Sequence, residues 1–210
     1  NALAYQYILA GNGLFIRAET HFFEALLLIA PCIVRGLAPL HHHFRLKVPR
    51  IPVRLLDTIL ADARRARRPG GGLNEVLYQF HHHGQTIQVK KPSQQTTATS
   101  VLATGMDDAA IDDASIICDL HSHGNMRAFF SRTDDDDEQA TKAYVVIGKL
   151  DTEPEIWLRV GVYGYWQPLS VTAVFTGCGS FKDLYLKEAS PDAPTTMNEN
   201  ELPCIDTEQR

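Results

Sequence analysis

Residues 115–120 (SIICDL) form a short, nearly all-apolar run that leads directly into His121-Ser122-His123. A run of that kind is the pattern of a strand covered on both faces, which obliges the chain to build a layered core around it. Side chains on a strand alternate with period two, so His121 and His123 share one side and can converge on a single ion. A third protein donor then has to arrive from elsewhere. Asp134, eleven residues beyond His123 and reached after a loop, offers a carboxylate, with Ser131 three residues before it. Two imidazoles and one carboxylate leave the fourth tetrahedral position open to water, the arrangement of catalytic rather than structural zinc. Taken singly, these residues read as satisfied strand histidines and a helix cap heading an acidic run; together at this spacing they read as a metal site.

The rest of the chain supplies sheets and a helix to surround that strand. Residues 5–17 (YQYILAGNGLFIR) place two apolar runs around Gly11-Asn12-Gly13, the composition of a hairpin turn. Residues 25–34 (ALLLIAPCIV) are interrupted by Pro31 and closed by Arg35, far short of the roughly 20 apolar residues of a membrane helix, and read as core. Over residues 53–67, Leu55, Leu56, Ile59, Leu60, Ala63 and Ala66 recur at helical spacing, and Pro69 with the three following glycines stops the helix. Its basic end, residues 64–68, reads as a solvated terminus at the negative end of the helix dipole. Residues 75–83 and 85–91 alternate about Gly84 as a second hairpin, and residues 97–102 read as a further strand. Residues 134–142 (DDDDEQATK) read as a helix with an acidic first turn. Residues 143–149, 155–166 and 171–176 read as strands. Helices alternating with apolar strands predict an α/β, layered core.

Lys and Arg number 20 against 25 Asp and Glu, a net charge of −5, which argues against a general nucleic-acid binder working by phosphate neutralisation. Cys32, Cys118, Cys178 and Cys204 are scattered with no CxxC pair, which disfavours a thiolate zinc knuckle or a secreted disulfide framework and favours a reducing, cytoplasmic setting. No targeting signal or membrane span is expected. Residues 188–210 hold Pro191, Pro194 and Pro203, six acidic side chains and a single base, Arg210, the composition of a disordered tail. The chain has no HExxH, no H-x-E with P-C-x-x-C, no GxSxG and no P-loop, so other hydrolase and deaminase arrangements lack their residues. His41-His42-His43 and His81-His82-His83 invite a second metal site, but adjacent strand side chains alternate in direction, and packing or surface roles are expected.

The interval H-x-H, seven residues, then S-x-x-D resembles the JAMM motif of the JAB/MPN metalloprotease family, and the match is complete across His121, His123, Ser131 and Asp134. The words DLHSH, AFFS and TDDDDE, with NEVLYQF upstream, are similar to the JAB-type protein of the bacterial PRTRC cassette, a gene group named for ParB-related and ThiF-related members. The resemblance covers roughly residues 53–180. It implies a JAB/MPN core with a mixed β-sheet flanked by helices over residues 53–187, with residues 1–52 as a β-rich N-terminal appendage. It also implies Zn²⁺ held by His121, His123 and Asp134, the S-x-x-D interval selecting Asp134 over Asp135, Asp136 and Asp137. Ser131 would donate to an oxyanion. An upstream glutamate would be the general base, and Glu75 suits the family's order of elements best, beginning a strand after the helix; Glu19 and Glu24 are alternatives. The implied activity is a zinc-dependent peptidase or isopeptidase acting on a protein or peptide substrate, with a ubiquitin-like or sulfur-carrier tail as the substrate class and a ThiF-related cassette partner. The alternative is a non-catalytic MPN scaffold that binds a partner protein.

Overall fold

Antiparallel neighbours account for most of the strand pairing, with a buried parallel pair at the centre of the larger sheet. The computed structural model describes residues 5–84, 86–97, 101–104 and 115–185. The turn at Gly11-Asn12-Gly13 joins β1 (Tyr5–Ala10) to β2 (Gly13–Glu19), in register from Tyr5 opposite Ala18 to Ala10 opposite Gly13. With β3 (Phe23–Pro31) and β4 (His43–Leu46) they form a four-stranded sheet in chain order. The apolar run 25–34 is core only in its first part: Ala25, Leu26 and Leu27 are buried, whereas Ile33 is 91% exposed, beyond the strand's end at Pro31.

Helix α1 (Arg54–Ala63) buries Leu56, Ile59, Leu60 and Ala63. It stops four residues short of the expected end at 67. The arginines beyond it are drawn into tertiary contacts: Arg64 Nε donates to the Leu150 carbonyl at 2.6 Å, and Arg67 meets Asp151 at 3.1 Å. The basic terminus is therefore partly tied down rather than simply solvated.

The larger sheet contains β5 (Leu77–His83), β6 (Thr86–Lys90), β9 (Ile116–Ser122), β10 (Ala143–Gly148), β11 (Glu155–Val162), β12 (Tyr165–Leu169) and β13 (Lys182–Asp183). Its order is β12-β11-β10-β9-β5-β6, with β13 also on β11. The β9/β10 and β11/β13 pairs are parallel and the others antiparallel, the mixed sheet that was expected. The second hairpin turns at Gly84, whose φ of 61° is costly for residues with a Cβ. β7 (Gln94–Thr96) and β8 (Val101–Ala103) pair separately where a single strand over 97–102 was expected; residues 98–100 lie outside those described.

Other expectations fail for local reasons. The run 155–166 is two strands, because Tyr163 and Gly164 take positive φ of 49° and 78° and reverse the chain. Residues 171–173 form a short 3-10 turn capped by Ser170, so no strand spans 171–176; only Phe175 bridges Ile51. The acidic tail expected at 188–210 lies outside the described residues.

The two faces of the larger sheet follow from parity. Phe80, Leu120, Val145, Ile147 and Leu158 share one hydrophobic cluster with Leu56, Ile59 and Leu60 of α1 and with Ile16, Phe23 and Leu27 of the four-stranded sheet. Flanking by helices is thus weak: α1 and a second sheet cover this face together. Leu77, His121, Val146 and Trp157 align across the opposite face, as do Gln79, Asp119, Tyr144 and Arg159. The connection from β9 to β10 crosses that face. Among the described residues no helix is long and apolar enough to cross a membrane.

Candidate metal centre

Strand β9 delivers His121 to the polar face while Cys118 and Leu120 point into the core, as period-two alternation requires. His123 follows the strand's end but keeps its parity, because its backbone N–H donates to the Ile147 carbonyl at 2.8 Å. The chain then runs tightly against β10: Lys149 N–H donates to Met126 O at 2.6 Å and Leu150 N–H to Gly124 O at 3.0 Å. Gly148 permits that approach, since a Cβ there would collide with the backbone of Met126 and Ala128. The Glu155 carboxylate, paired with Lys149 at 2.6 Å, accepts the Ala128 N–H at 3.3 Å and pins the same loop from below.

Ser131 explains the S-x-x-D interval in structural terms. It is the N-cap of α2 (Arg132–Asp137): its hydroxyl oxygen accepts the Asp134 N–H at 3.2 Å, and its own N–H donates to Asp134 Oδ2 at 2.6 Å. This reciprocal capping box fixes the carboxylate with Oδ1 3.2 Å from His121 Nε2. Asp134 is thus both a helix-start residue and the third residue that could hold an ion here. The helix ends at Asp137, well before the expected 142, because Glu138 leaves the helical path to meet Arg159 and its carbonyl accepts Trp166 Nε1 at 3.1 Å.

His121 Nε2 and His123 Nε2 stand 3.1 Å apart, and His123 Nε2 is 4.0 Å from Asp134 Oδ2. Tetrahedral zinc with Zn–N and Zn–O near 2 Å sets neighbouring donors about 3.3 Å apart. The His121–His123 and His121–Oδ1 separations, 3.1 and 3.2 Å, meet that value, while His123 lies 4.0 Å from the other Asp134 oxygen, Oδ2. All three donor atoms lie within 4.8 Å of one another, and among the described residues this is the one such group. Burial pulls the His121 ring down to about 4 and lowers His123 as well, against the opposing pull of Asp134. Neutral imidazoles are the form that donates a lone pair, so the donor chemistry fits a divalent ion.

Glu75 is buried at 5% exposure with Oε1 4.0 Å from His123 Nε2. Burial first, and the Asp134 charge second, push its carboxyl up to about 7. It sits two residues before β5 rather than in it, because its N–H donates to Thr97 O and the next N–H goes to Ser122 Oγ. The alternatives are elsewhere: Glu19 pairs with Lys47 at 3.0 Å, and Glu24 with Arg17 and Arg45 at 2.7 Å, all on the four-stranded sheet. The histidine triplets are also apart from the site's donors. His43 lies 3.8 Å from Glu24, and His81 Nδ1 contacts Ser115 Oγ at 2.8 Å.

A cavity of about 530 Å³ opens onto these groups, lined by Glu75, His121, His123, Ser131 and Asp134, with Met126 and Phe129 on its apolar side. The Phe129 ring stands edge-on to His123 at 4.7 Å. Sequence reasoning missed Glu138 and Arg159. Glu138 Oε1 is 3.9 Å from His121 Nδ1, and Arg159 binds its other oxygen at 2.6 and 2.9 Å. Nothing in the spacing of residues 138 and 159 marks them, since they meet only through the order of β9, β10 and β11.

Compared with known proteins, residues 52–160, just over half of the chain, match the model of a family described as prokaryotic homologs of the JAB domain. No curated protein matches.

Proposed function

Because the chain belongs to the family of prokaryotic homologs of the JAB domain, we propose that its histidine–aspartate cluster is a zinc centre that hydrolyses an amide bond as a JAMM-type metallopeptidase or isopeptidase. The observation that carries this reading is the meeting of His121, His123 and Asp134 within 4.8 Å, with the Glu75 carboxylate 4.0 Å from His123. Zinc bound there would supply a Lewis acid that polarises the scissile carbonyl and lowers the pKa of water from 15.7 toward about 7.

The remaining work falls to side chains already in position. Glu75 takes the proton of the attacking water and hands it to the departing amine; a carboxyl raised by burial to about 7 suits both roles near neutral pH. Ser131 accepts the Asp134 N–H through its hydroxyl oxygen, which leaves its hydroxyl hydrogen free to donate to the oxyanion that develops at the carbonyl. Met126 and Phe129 form an apolar lip against which the substrate backbone is desolvated. No covalent enzyme intermediate is needed.

For the substrate we propose the tail of a ubiquitin-like or sulfur-carrier protein, with a ThiF-related partner, on the resemblance of DLHSH, AFFS and TDDDDE to the PRTRC cassette protein. The test is zinc stoichiometry of the untagged protein together with cleavage of tail-fused ubiquitin-like substrates by wild type, Glu75→Gln and His123→Ala. One equivalent of zinc with cleavage lost in both variants supports the peptidase. One equivalent of zinc with no tail cleaved by the wild type leaves a partner-binding scaffold.

A further inference from the structure

Helix α2 carries a donor of the metal centre yet buries none of its residues, so no apolar contact holds it on the sheet. What holds it is polar. At its start stands the Ser131 capping box, and at its end stands Arg159, a β11 residue only 6% exposed. The guanidinium binds Asp135 Oδ1 at 2.6 Å and Glu138 Oε2 at 2.6 and 2.9 Å. It lies between two rings, 3.9 Å from the Phe130 centroid and 4.6 Å from that of Trp166. All of its donors in these contacts thus go to α2 and the residue that ends it.

A buried ion pair is weak evidence for stability, because apolar residues of similar volume commonly do as well. Its worth lies in fixing geometry. Glu138, once fixed by Arg159, turns its free Oε1 toward His121 Nδ1 at 3.9 Å, the ring nitrogen opposite the one facing Asp134. That gap is beyond hydrogen-bond reach; once closed by a small side-chain movement, a carboxylate on that side would orient the imidazole and favour the tautomer whose Nε2 lone pair faces the ion.

We infer that Arg159 is a positioning residue of the metal centre: it seats α2, and with it Asp134, and holds Glu138 behind His121. This rests on the zinc reading above and adds to it two residues outside the H-x-H and S-x-x-D motif.

The test measures zinc affinity by chelator competition and the visible spectrum of the cobalt-substituted protein for wild type, Arg159→Met, Arg159→Lys, Glu138→Gln and the Arg159→Met/Glu138→Gln double variant, with thermal unfolding of each ion-free protein. Arg159→Met is expected to weaken zinc binding by about 10- to 100-fold, to shift the cobalt bands and, by leaving Glu138 buried without its partner, to lower the thermal midpoint, which the double variant should partly restore. Arg159→Lys should recover part of the affinity. The double variant should bind no more weakly than Arg159→Met alone, because both substitutions break one chain of contacts. Wild-type zinc affinity and cobalt bands in a folded Arg159→Met would overturn the inference. If that variant does not fold, unchanged affinity in both Glu138→Gln and Arg159→Lys overturns it equally. Absence of zinc binding by the wild type would instead sink the zinc reading itself.

Discussion

The two faces of the seven-stranded sheet are made from the same strands, one residue out of phase, and they obey opposite rules. On β9, Cys118 and Leu120 enter a core shared with Phe80, Val145, Ile147 and α1, where every contact removes apolar surface from water. Asp119 and His121 point the other way, toward carboxylates, imidazoles and the Arg159 guanidinium, where burial raises Glu75 and lowers both histidines. One parity stabilises the fold; the other keeps both imidazoles neutral well below neutral pH and leaves Glu75 partly protonated where a free carboxyl is ionised. Function here draws on stability that the opposite face provides.

That contrast can be attacked from either side. The largest expected effect is on turnover: Glu75→Gln should lower kcat on a cleavable tail by about 10²- to 10⁴-fold while zinc content, read by elemental analysis, stays at the wild-type level. Loss of zinc alongside activity would show that Glu75 holds the site together rather than moving a proton. Next is Phe80→Ala on the apolar face, which removes a fully buried ring packed against Phe175 at 5.5 Å. Denaturant unfolding should report a loss of about 3–5 kcal/mol, with zinc affinity of the folded fraction preserved. A loss below about 1 kcal/mol would mean that the shared core is less close-packed than its burial implies.

A third test asks the sign of the Glu75 contribution to stability. Burial holds its carboxyl near 7, above the ordinary 4.5 of a free glutamate. The stability associated with it is therefore present in full below about pH 4.5 and is lost as pH rises through 7. In chelator-treated protein His121 and Glu138 titrate over the same range in both proteins, so the readout is the difference: the midpoint of Glu75→Gln relative to the wild type should rise across that window and exceed it at pH 8. Parallel pH profiles for the two proteins would remove Glu75 from the account. The smallest effect on stability is expected from Ser131→Ala, which deletes one half of the capping box: about 1 kcal/mol, measured by chemical unfolding, with a weaker hold on zinc and the loss of the oxyanion donor lowering kcat by about 10²- to 10³-fold. Unchanged zinc affinity there would show that the backbone N–H of residue 131 suffices to orient Asp134.

Sequence carried the local part of this site and little of the remote part. Period-two alternation was enough to bring His121 and His123 together, and the S-x-x-D interval was enough to single out Asp134, because a capping box is a contact within one turn of chain. Glu75 was reachable by its position after the helix, although its backbone bonds to Thr97 keep it out of the strand. Arg159 was not reachable. Its partners lie 21 and 24 residues away and meet it only through strand order, which no local pattern encodes. The same limit applies to the fold. The core face of the large sheet could be read as apolar, but that a second sheet rather than several helices would cover it depends on pairings between distant segments. The length of α2 was misjudged because acidic, helix-favouring residues continue past Asp137, while Arg159 and Trp166 divert the chain at Glu138.

The division of labour within the Asp134 carboxylate has a practical corollary. One oxygen is tethered to the amide of Ser131 and the other is turned to His121, so the socket keeps its gauge through a tether that owes nothing to its occupant. Stripping and reloading the cation should then run as a simple exchange without hysteresis. The strength of the grip can be tuned from the rear of the helix without reshaping the mouth of the cavity.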